Sequence, residues 1–318
     1  MLLADALCFA LLVDEVDQEA QRIAHKLKQD FPALVDITLC PPVTSDKNPK
    51  AVKLQQALAS ITSVYVAVLD DDTWLPHDNL AKAVQQLQNC DLYTGLPCYM
   101  KRKGLWSSLV THFVNNNNIM TYLSLLPFAP PMSINGMFYV LKTETLKQIG
   151  GWTQIEHQLC DDYAFAKLVK QRGLTITQGT TPQHLHTTVA NSSSYFQIMH
   201  RWFLFANVLV KDQIISNKCL LLVCLGLPPL LLWIVMISLT QSWIGIACIP
   251  GLLLLRHVLI SNLLNRTCGN IAPLNWPASI VVELLQPLHW FHATIWRRIR
   301  WRNRRIQLTS GGQFNYLD

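Results

Sequence analysis

Two apolar stretches, residues 219–239 and 243–264, constrain the fold of this chain more than any other feature. Each approaches or reaches the roughly 20 residues that a helix needs to span a bilayer. Only Thr240, Gln241 and Ser242 separate them, so they read as a membrane hairpin, with buried core helices as the competing assignment. Before about residue 212, apolar and polar runs alternate as they do in a soluble domain. The composition, 50% apolar and 14% charged, therefore averages two regimes. At 318 residues there is room for one α/β domain of ordinary size and a smaller second part. The expected division is a soluble domain over 1–212, membrane helices over 213–296 and a basic tail over 297–318.

Residues 277–296 form a third apolar segment, interrupted by Glu283, Gln286, His289 and His292. Their spacing of three gives a drifting polar stripe along one side of a helix, which suits burial against protein or a position at the membrane interface. The tail that follows, WRRIRWRNRR, carries much of the net charge of +6. Its interleaved Trp and Ile directly after an apolar helix favour anionic headgroups on the cytosolic side over nucleic acid. Soluble domain and tail on one side require an even number of crossings. Nine cysteines occur without a CxxC pair and read as buried free thiols in a reducing compartment. Residues 1–13 lack a basic start and a cleavage site, so they read as a strand and not as a signal.

Strand-like runs at 6–13, 35–40 and 64–69 alternate with helix-like segments at 18–29 and 49–59, an order that predicts a parallel sheet with crossover helices. Further strands are expected at 91–96 and 136–141. Between them, residues 105–128 contain Trp106, Phe113, Tyr122, Leu126 and an NNNN run, and read either as a segment lying on the bilayer beside a lipid entrance or as a surface helix pair.

The soluble part has one concentrated chemical signal. VAVLDDDTWLP, residues 66–76, is an apolar run ending in Asp70, Asp71 and Asp72. Burying three carboxylates is costly unless a cation neutralises them, and ligands of such sheets bind beyond the strand ends. Asp70 to Asp72, with Asp14 after the first strand, are thus expected to face one crevice and a metal nucleotide. The alternative is a solvated turn in which Asp78 caps the next helix. Downstream, GGW at 150–152 precedes CDDYAFAKLVKQRG, which places Asp161 and Asp162 at a helix N-terminus, where carboxylates also serve as ordinary caps. FQIMHRWFLFANVL then puts Arg201 and Trp202 on a helix leading toward the membrane.

The order of NPKxxxL at 48–54, DDD, TGLP at 94–97, GMFYVLKTETLKQIGGW, DDYAFAK and HRW resembles the ceramide glucosyltransferase family of inverting GT-A enzymes, whose relatives include hopanoid-modifying glycosyltransferases. The resemblance covers about residues 12–210 and extends to WRNRRIQLTSGG. It implies a GT-A (nucleotide-diphospho-sugar transferase, Rossmann-like) domain followed by membrane helices, in a multi-pass protein of a bacterial inner membrane or of Golgi or ER membranes, with the catalytic domain cytosolic. A sugar, glucose foremost, would pass from a UDP-sugar to a lipid hydroxyl such as that of ceramide, as in sphingolipid metabolism. Hopanoid, polyprenyl or polysaccharide acceptors, and a noncatalytic nucleotide- or lipid-binding protein, are the alternatives.

Carried over residue by residue, Asp70 and Asp72 match the DxD-like site for a divalent cation, manganese or magnesium, and the diphosphate. Lys50 of NPK falls on the donor side, and Asp14, with Asp17 as the alternative, matches the aspartate near base or ribose. Asp162 matches the base that accepts the lipid hydroxyl proton, and Asp161, usually Glu, orients it or holds the acceptor. Arg201 and Trp202 match the end of the QxxRW-type motif. Gln197 lies four residues before Arg201, where the motif places its polar residue three before; Ile198 occupies that place. Lys53 stands where the family has Asn. Members also carry a membrane helix and a first strand ahead of the Asp14 region, which this chain is expected to lack. His184 and His186 share a strand face and read as surface polar residues ahead of a metal pair, and His200 reads as a helix-surface residue.

Overall fold

The computed structural model describes residues 7–43, 46–76, 78–100, 103–269, 275–301, 304–309 and 312–317. It opens on β1 (Phe9–Asp14), α1 (Gln18–Asp30) and β2 (Val35–Cys40), a crossover unit whose strands pair in parallel with Asp14 opposite Cys40. Asp17 accepts the Ala20 amide and so starts α1. α2 (Pro49–Leu58) is started by the NPK triplet: buried Asn48 accepts the amides of Lys50 and Ala51, and Pro49 fills the first turn, where a missing N–H costs nothing. Lys50 is thereby fixed in the first turn.

The remaining α/β elements are β3 (Tyr65–Leu69), β4 (Thr73–Trp74), α3 (Asn79–Gln86), β5 (Leu92–Tyr99), α4 (Leu105–Tyr122), β6 (Phe138–Lys142), α5 (Thr143–Gln148), α6 (Asp161–Gln171) and β7 (Ile176–Leu185). Asp78 occupies the position ahead of α3 in a left-handed conformation, φ 67°. Five strands form one sheet in the order β3-β6-β5-β7-β4. Only β5 and β7 run parallel; β3 with β6, β6 with β5 and β7 with β4 are antiparallel. The expected parallel sheet is therefore corrected: β3 pairs with β6 and not with the β1–β2 pair. Strand-helix alternation sets the β1–β2 crossover, but it cannot rank a later partner such as β6, whose Phe138, Tyr139, Val140 and Leu141 are all buried. Every residue of β5 is buried, as in a central strand. Val68, Leu92, Leu141, Trp152 and Phe165 form the main core on one side.

The 105–128 segment is corrected as well. α4 lies against β5 with Leu109, Val110, His112, Asn115 and Asn118 buried, and residues beyond Tyr122 form turns. Asn115 accepts the Tyr99 amide and donates to the Tyr99 carbonyl, both at 2.8 Å, and Asn118 donates to the Pro97 carbonyl at 2.8 Å. Two amides of the NNNN run thus satisfy sheet backbone, as buried peptide groups require, while Asn116 bonds Ser279 and Asn117 donates to the Phe113 carbonyl.

α7 (Ser192–Asp212) leads out of this domain to α8 (Ile215–Leu221), a π-helical turn at Leu222–Gly226 and α9 (Leu227–Leu239), which run on as one helix, and then to α10 (Trp243–Cys268). Ile215–Leu239 and Trp243–Cys268 are long and apolar enough to cross a membrane, with mean hydropathy of 2.6 and 1.9 in their most apolar windows. Only 11% and 6% of those windows are buried. Core helices of a soluble protein would be covered; here Leu231, Ile234, Ile237, Leu254 and Leu259 are exposed, an apolar surface suited to lipid. α11 (Trp276–Ile295) turns its polar stripe onto protein. Glu283 pairs with Arg256 of α10, Gln286 and His289 are buried, His289 Nε2 is 3.2 Å from the Tyr195 hydroxyl, and His292 Nδ1 is 2.9 Å from His200 Nδ1.

The basic tail is folded. β8 (Arg298–Trp301), β9 (Arg304–Leu308) and β10 (Phe314–Tyr316) make an antiparallel sheet, and Ile299, Ile306 and Phe314 pack against Leu159 and Leu204. The Leu159 amide donates to the Gly312 carbonyl at 3.0 Å, and the Tyr316 amide to Asp46 Oδ1 at 2.7 Å. The tail therefore lies on the same side of the hairpin as the α/β domain. The cysteine expectation also changes. Cys98 of β5 and Cys268 at the end of α10 form a disulfide, and the free thiols Cys8, Cys219 and Cys248 are exposed. No local spacing marks a pair 170 residues apart, and cysteines on uncovered apolar helices are not buried by protein.

Candidate active site

The site is organised around Lys50. Its Nζ lies 2.6 Å from Asp70 Oδ1, 2.8 Å from the Gly136 carbonyl oxygen and 3.8 Å from Asp161 Oδ2. Burial pushes the lysine pKa down, but Asp161 and Asp70 outweigh it and hold the ammonium above its ordinary value. Asp70 is raised by burial, against the pull of Lys50. One cation thus joins the aspartate after β3 to the acidic pair that begins α6.

Asp161 and Asp162 lie in the first turn of α6, behind Cys160 at the cap position. Carboxylates there meet the positive end of the helix dipole. Asp162 Oδ1 accepts the Tyr163 amide at 2.6 Å and the Cys160 thiol at 2.9 Å. Burial first, then the charge of Asp161, raises its pKa to about 6, against the two hydrogen bonds and Lys50. A carboxyl tuned to that range suits proton acceptance near neutrality. Gly136 closes the other side: a Cβ there would stand 3.0 Å from Asp162 Cβ, so any side chain would crowd that carboxyl.

The acidic triplet splits. Asp71 is exposed, while Asp70 and Asp72 are half-buried. Asp72 Oδ2 accepts from the Thr187 hydroxyl at 2.7 Å, and its carbonyl accepts the His186 amide at 2.9 Å. Asp14 faces Lys53, one helical turn from Lys50, with Nζ 2.6 Å from Oδ1. Asp17 accepts the Ala20 amide as the α1 cap. Among the described residues, no three His, Cys, Asp or Glu side chains are arranged to hold a metal ion. Asp70 and Asp72 nevertheless fit the hard-cation pattern in which one or two carboxylates are completed by phosphate oxygens and water.

Arg201 is half-buried on α7; burial lowers its pKa, opposed by Tyr99 and Asp161, which places its charge in the field of the acidic pair. Trp202 stacks on Phe113 at 6.0 Å between centroids and meets Tyr99 edge-on at 6.4 Å. Gln197 is not brought to the cluster: it is exposed and donates to Ser193 one turn earlier, while Ile198 packs in the core beneath α7. His184 lies on β7 against Trp74, and His200 is held by the Arg298 carbonyl and His292.

Sequence reasoning missed Gly136, Thr187 and Tyr99. Gly136 stood inside the GMFYVLK match, where a glycine before an apolar strand was a usable signal; Thr187 and Tyr99 had none, because each acts only through a partner distant in sequence.

An α/β sheet that gathers aspartates around the half-buried Lys50 and is followed by two apolar helices long enough to cross a membrane fits the class of glycosyltransferases. Within that class the chain belongs to glycosyl transferase family 21, whose sequence model matches residues 7–314. It is 22% identical over 310 residues to ceramide glucosyltransferase 3 of Caenorhabditis elegans, covering 93% of this chain and 65% of that protein. It is also 22% identical over 189 residues to ceramide glucosyltransferase 1 of the same organism, covering 58% and 40% respectively. The chain thus spans less than two thirds of the length of these relatives. A solved mycobacterial protein structure aligns over 63% of this chain and 74% of its own at 13% identity, with a TM-score of 0.31, too low to carry an argument.

Proposed function

We propose that this protein is an inverting GT-A glycosyltransferase that moves a sugar, glucose foremost, from a UDP-sugar to a hydroxyl of a membrane lipid such as ceramide. The observation that carries the reading is Asp162: a carboxyl raised to about 6 at the start of α6, linked through Asp161 and Lys50 to the donor-side Asp70. Direct displacement needs one base and a stabilised leaving group. Asp162 would accept the lipid hydroxyl proton as that oxygen attacks the anomeric carbon, with Asp161 and Gly136 fixing its position. Asp70 and Asp72 would hold a divalent cation, which when bound offsets the charge of the departing diphosphate. Arg201 adds a planar guanidinium on the same side, and Trp202 an aromatic wall for sugar or acceptor. Asp14 and Lys53 border the place for base or ribose. The exposed apolar hairpin would keep the protein in the bilayer, where a lipid acceptor is concentrated.

The test is manganese-dependent release of UDP by the purified full chain, with mass spectrometry of lipids from expressing cells. A new hexosylated lipid that disappears in Asp162→Asn supports the reading. Nucleotide binding without turnover under any acceptor would make the protein a binder.

A further inference from the structure

α11 is amphipathic in the reverse of the usual sense. Its inward face holds the polar residues: Ser279, Gln286 and His289 are buried beside Ala278, Val282 and Ala293. Its outward face, at the three- and four-residue spacing of one helix side, holds Val281, Leu284, Leu288, Phe291 and Ile295. Val281, Leu288, Phe291 and Ile295 are between 43% and 60% exposed, so a ridge of large apolar side chains is left without a protein cover among the described residues. Trp276, Trp290 and Trp296 are exposed along the same helix, and tryptophan is the side chain most at home between lipid and water.

Both ends of α11 are tied to the α/β domain. The Asn275 amide donates to His112 of α4 at 3.2 Å, and Ser279 exchanges hydrogen bonds with Asn116. At the other end, Asn207 of α7 donates to Thr294 at 3.4 Å, and the chain continues into the sheet docked on Leu159 and Leu204. A helix whose two ends return to one domain does not cross a bilayer. The ridge is also continuous with the lipid-suited hairpin: Trp233 of α9 donates through Nε1 to the Leu284 carbonyl at 3.0 Å, and Glu283 pairs with Arg256 of α10. Ionised groups cost most at the centre of the hydrocarbon, so the level at which α10 meets α11 marks the edge of the membrane. We propose that α11 lies in the plane of the membrane, with the ridge from Val281 to Ile295 seated among the upper acyl chains of the leaflet nearest the α/β domain. Because Ala278 and Val282 share a core with Trp202, this contact also fixes the height of α7, with Arg201 and Trp202, over the leaflet. The inference concerns how the domain sits on lipid and holds for any sugar or acceptor.

The test uses the full chain in phosphatidylcholine nanodiscs, with p-azidophenylalanine introduced at Leu288, at Phe291 or, as a control on α1, at the exposed Lys26, and coupled to an NBD fluorophore. Emission from positions 288 and 291 should shift to the blue relative to position 26. Lipids with a nitroxide near the headgroup should quench the two ridge positions more strongly than lipids with one near the chain end, and iodide should quench only position 26. Iodide quenching of all three positions alike would place the ridge in water, and stronger quenching from the chain ends would make α11 a spanning segment. Photocrosslinking of the uncoupled azide to a second chain in place of lipid would make another copy the occupant. Each of these results overturns the proposal. Leu288→Gln with Phe291→Gln gives an independent readout. Both side chains are exposed, so thermal unfolding in detergent should not move, while the KM for an acceptor embedded in a bilayer should rise about 10-fold from the lost apolar burial, with the UDP-sugar KM unchanged. An unchanged acceptor KM would overturn the coupling to α7. The fluorescence needs no turnover, so a failure of the glycosyltransferase reading is distinguishable from a failure of the membrane contact.

Discussion

Replacing Asp162 by Asn separates its chemical role from its structural cost, because the two predict effects of opposite sign. A carboxyl held at about 6 instead of its ordinary 3.8 binds its proton more tightly folded than unfolded. Stability therefore falls as pH rises from 3.8 to 6 and stays at the lower level above 6. Integrated over that window, the ionised group costs the fold up to about 3 kcal/mol at pH 8 and about half of that at pH 5. Asn mimics the protonated form and can still accept the Tyr163 amide. Asp162→Asn should thus be more stable than the parent by up to about 3 kcal/mol at pH 8, with the gain shrinking toward pH 5. Its turnover should fall about 10²- to 10⁴-fold, since an amide accepts no proton, while UDP-sugar binding is kept. Thermal unfolding of the full chain at both pH values, beside steady-state kinetics, measures both effects. The parent's turnover should decline below pH about 6 as Asp162 is protonated. A variant no more stable than the parent at pH 8, or one turning over within tenfold of it, would refute the assignment of this carboxyl as a destabilised base.

Asp72→Ala should weaken manganese-dependent UDP-sugar affinity and leave the metal-free affinity unchanged, read by titration with and without the ion; equal affinities in all four conditions would return the triplet to a solvated turn. Arg201→Lys should cut kcat severely because a point charge does not reproduce the guanidinium fork, whereas Gln197→Ala, exposed and bonded to Ser193, should stay within about twofold, as surface changes usually do. Phe314→Ala removes a buried ring from the cluster that docks the tail on Leu159 and Leu204, and should cost about 3–5 kcal/mol of stability by chemical denaturation.

The elements that sequence made legible are those whose pattern comes from one face alone. β1, α1 and β2 alternate cleanly, and α9 and α10 hold long, predominantly apolar runs, so period and length sufficed. α4 and the tail misled for one reason. The asparagine run was placed on a bilayer or surface segment and the arginines beside headgroups, yet Asn115 and Asn118 satisfy the β5 backbone, and the arginines alternate with Ile299 and Ile306, which are buried. Polarity reports exposure only where no backbone edge needs a partner. The sheet partner of β3 and the Cys98–Cys268 bridge lay beyond reach because both are chosen by long-range packing.

The site shows the same division. Asp70 and Asp72 stood out because carboxylates closing an apolar strand are expensive without a use, whereas Asp161 and Asp162, ordinary as caps, were singled out by the family resemblance. What the sequence did not disclose is that a single ammonium serves both sets. At an effective dielectric constant of 20, two like charges 4 Å apart repel by about 4 kcal/mol, so gathering these aspartates in one half-buried crevice needs a resident cation even before any ligand arrives. Lys50 can fill that role only because Asn48 and Pro49 start α2 one residue ahead of it, and because the Gly136 carbonyl accepts a second of its protons where a side chain would have crowded Asp162. The motif NPK is thus a helix start first and a charge second. Its lysine was expected on the donor side, but its bridge to Asp161 depends on the fold bringing residues 50, 70, 136 and 161 together.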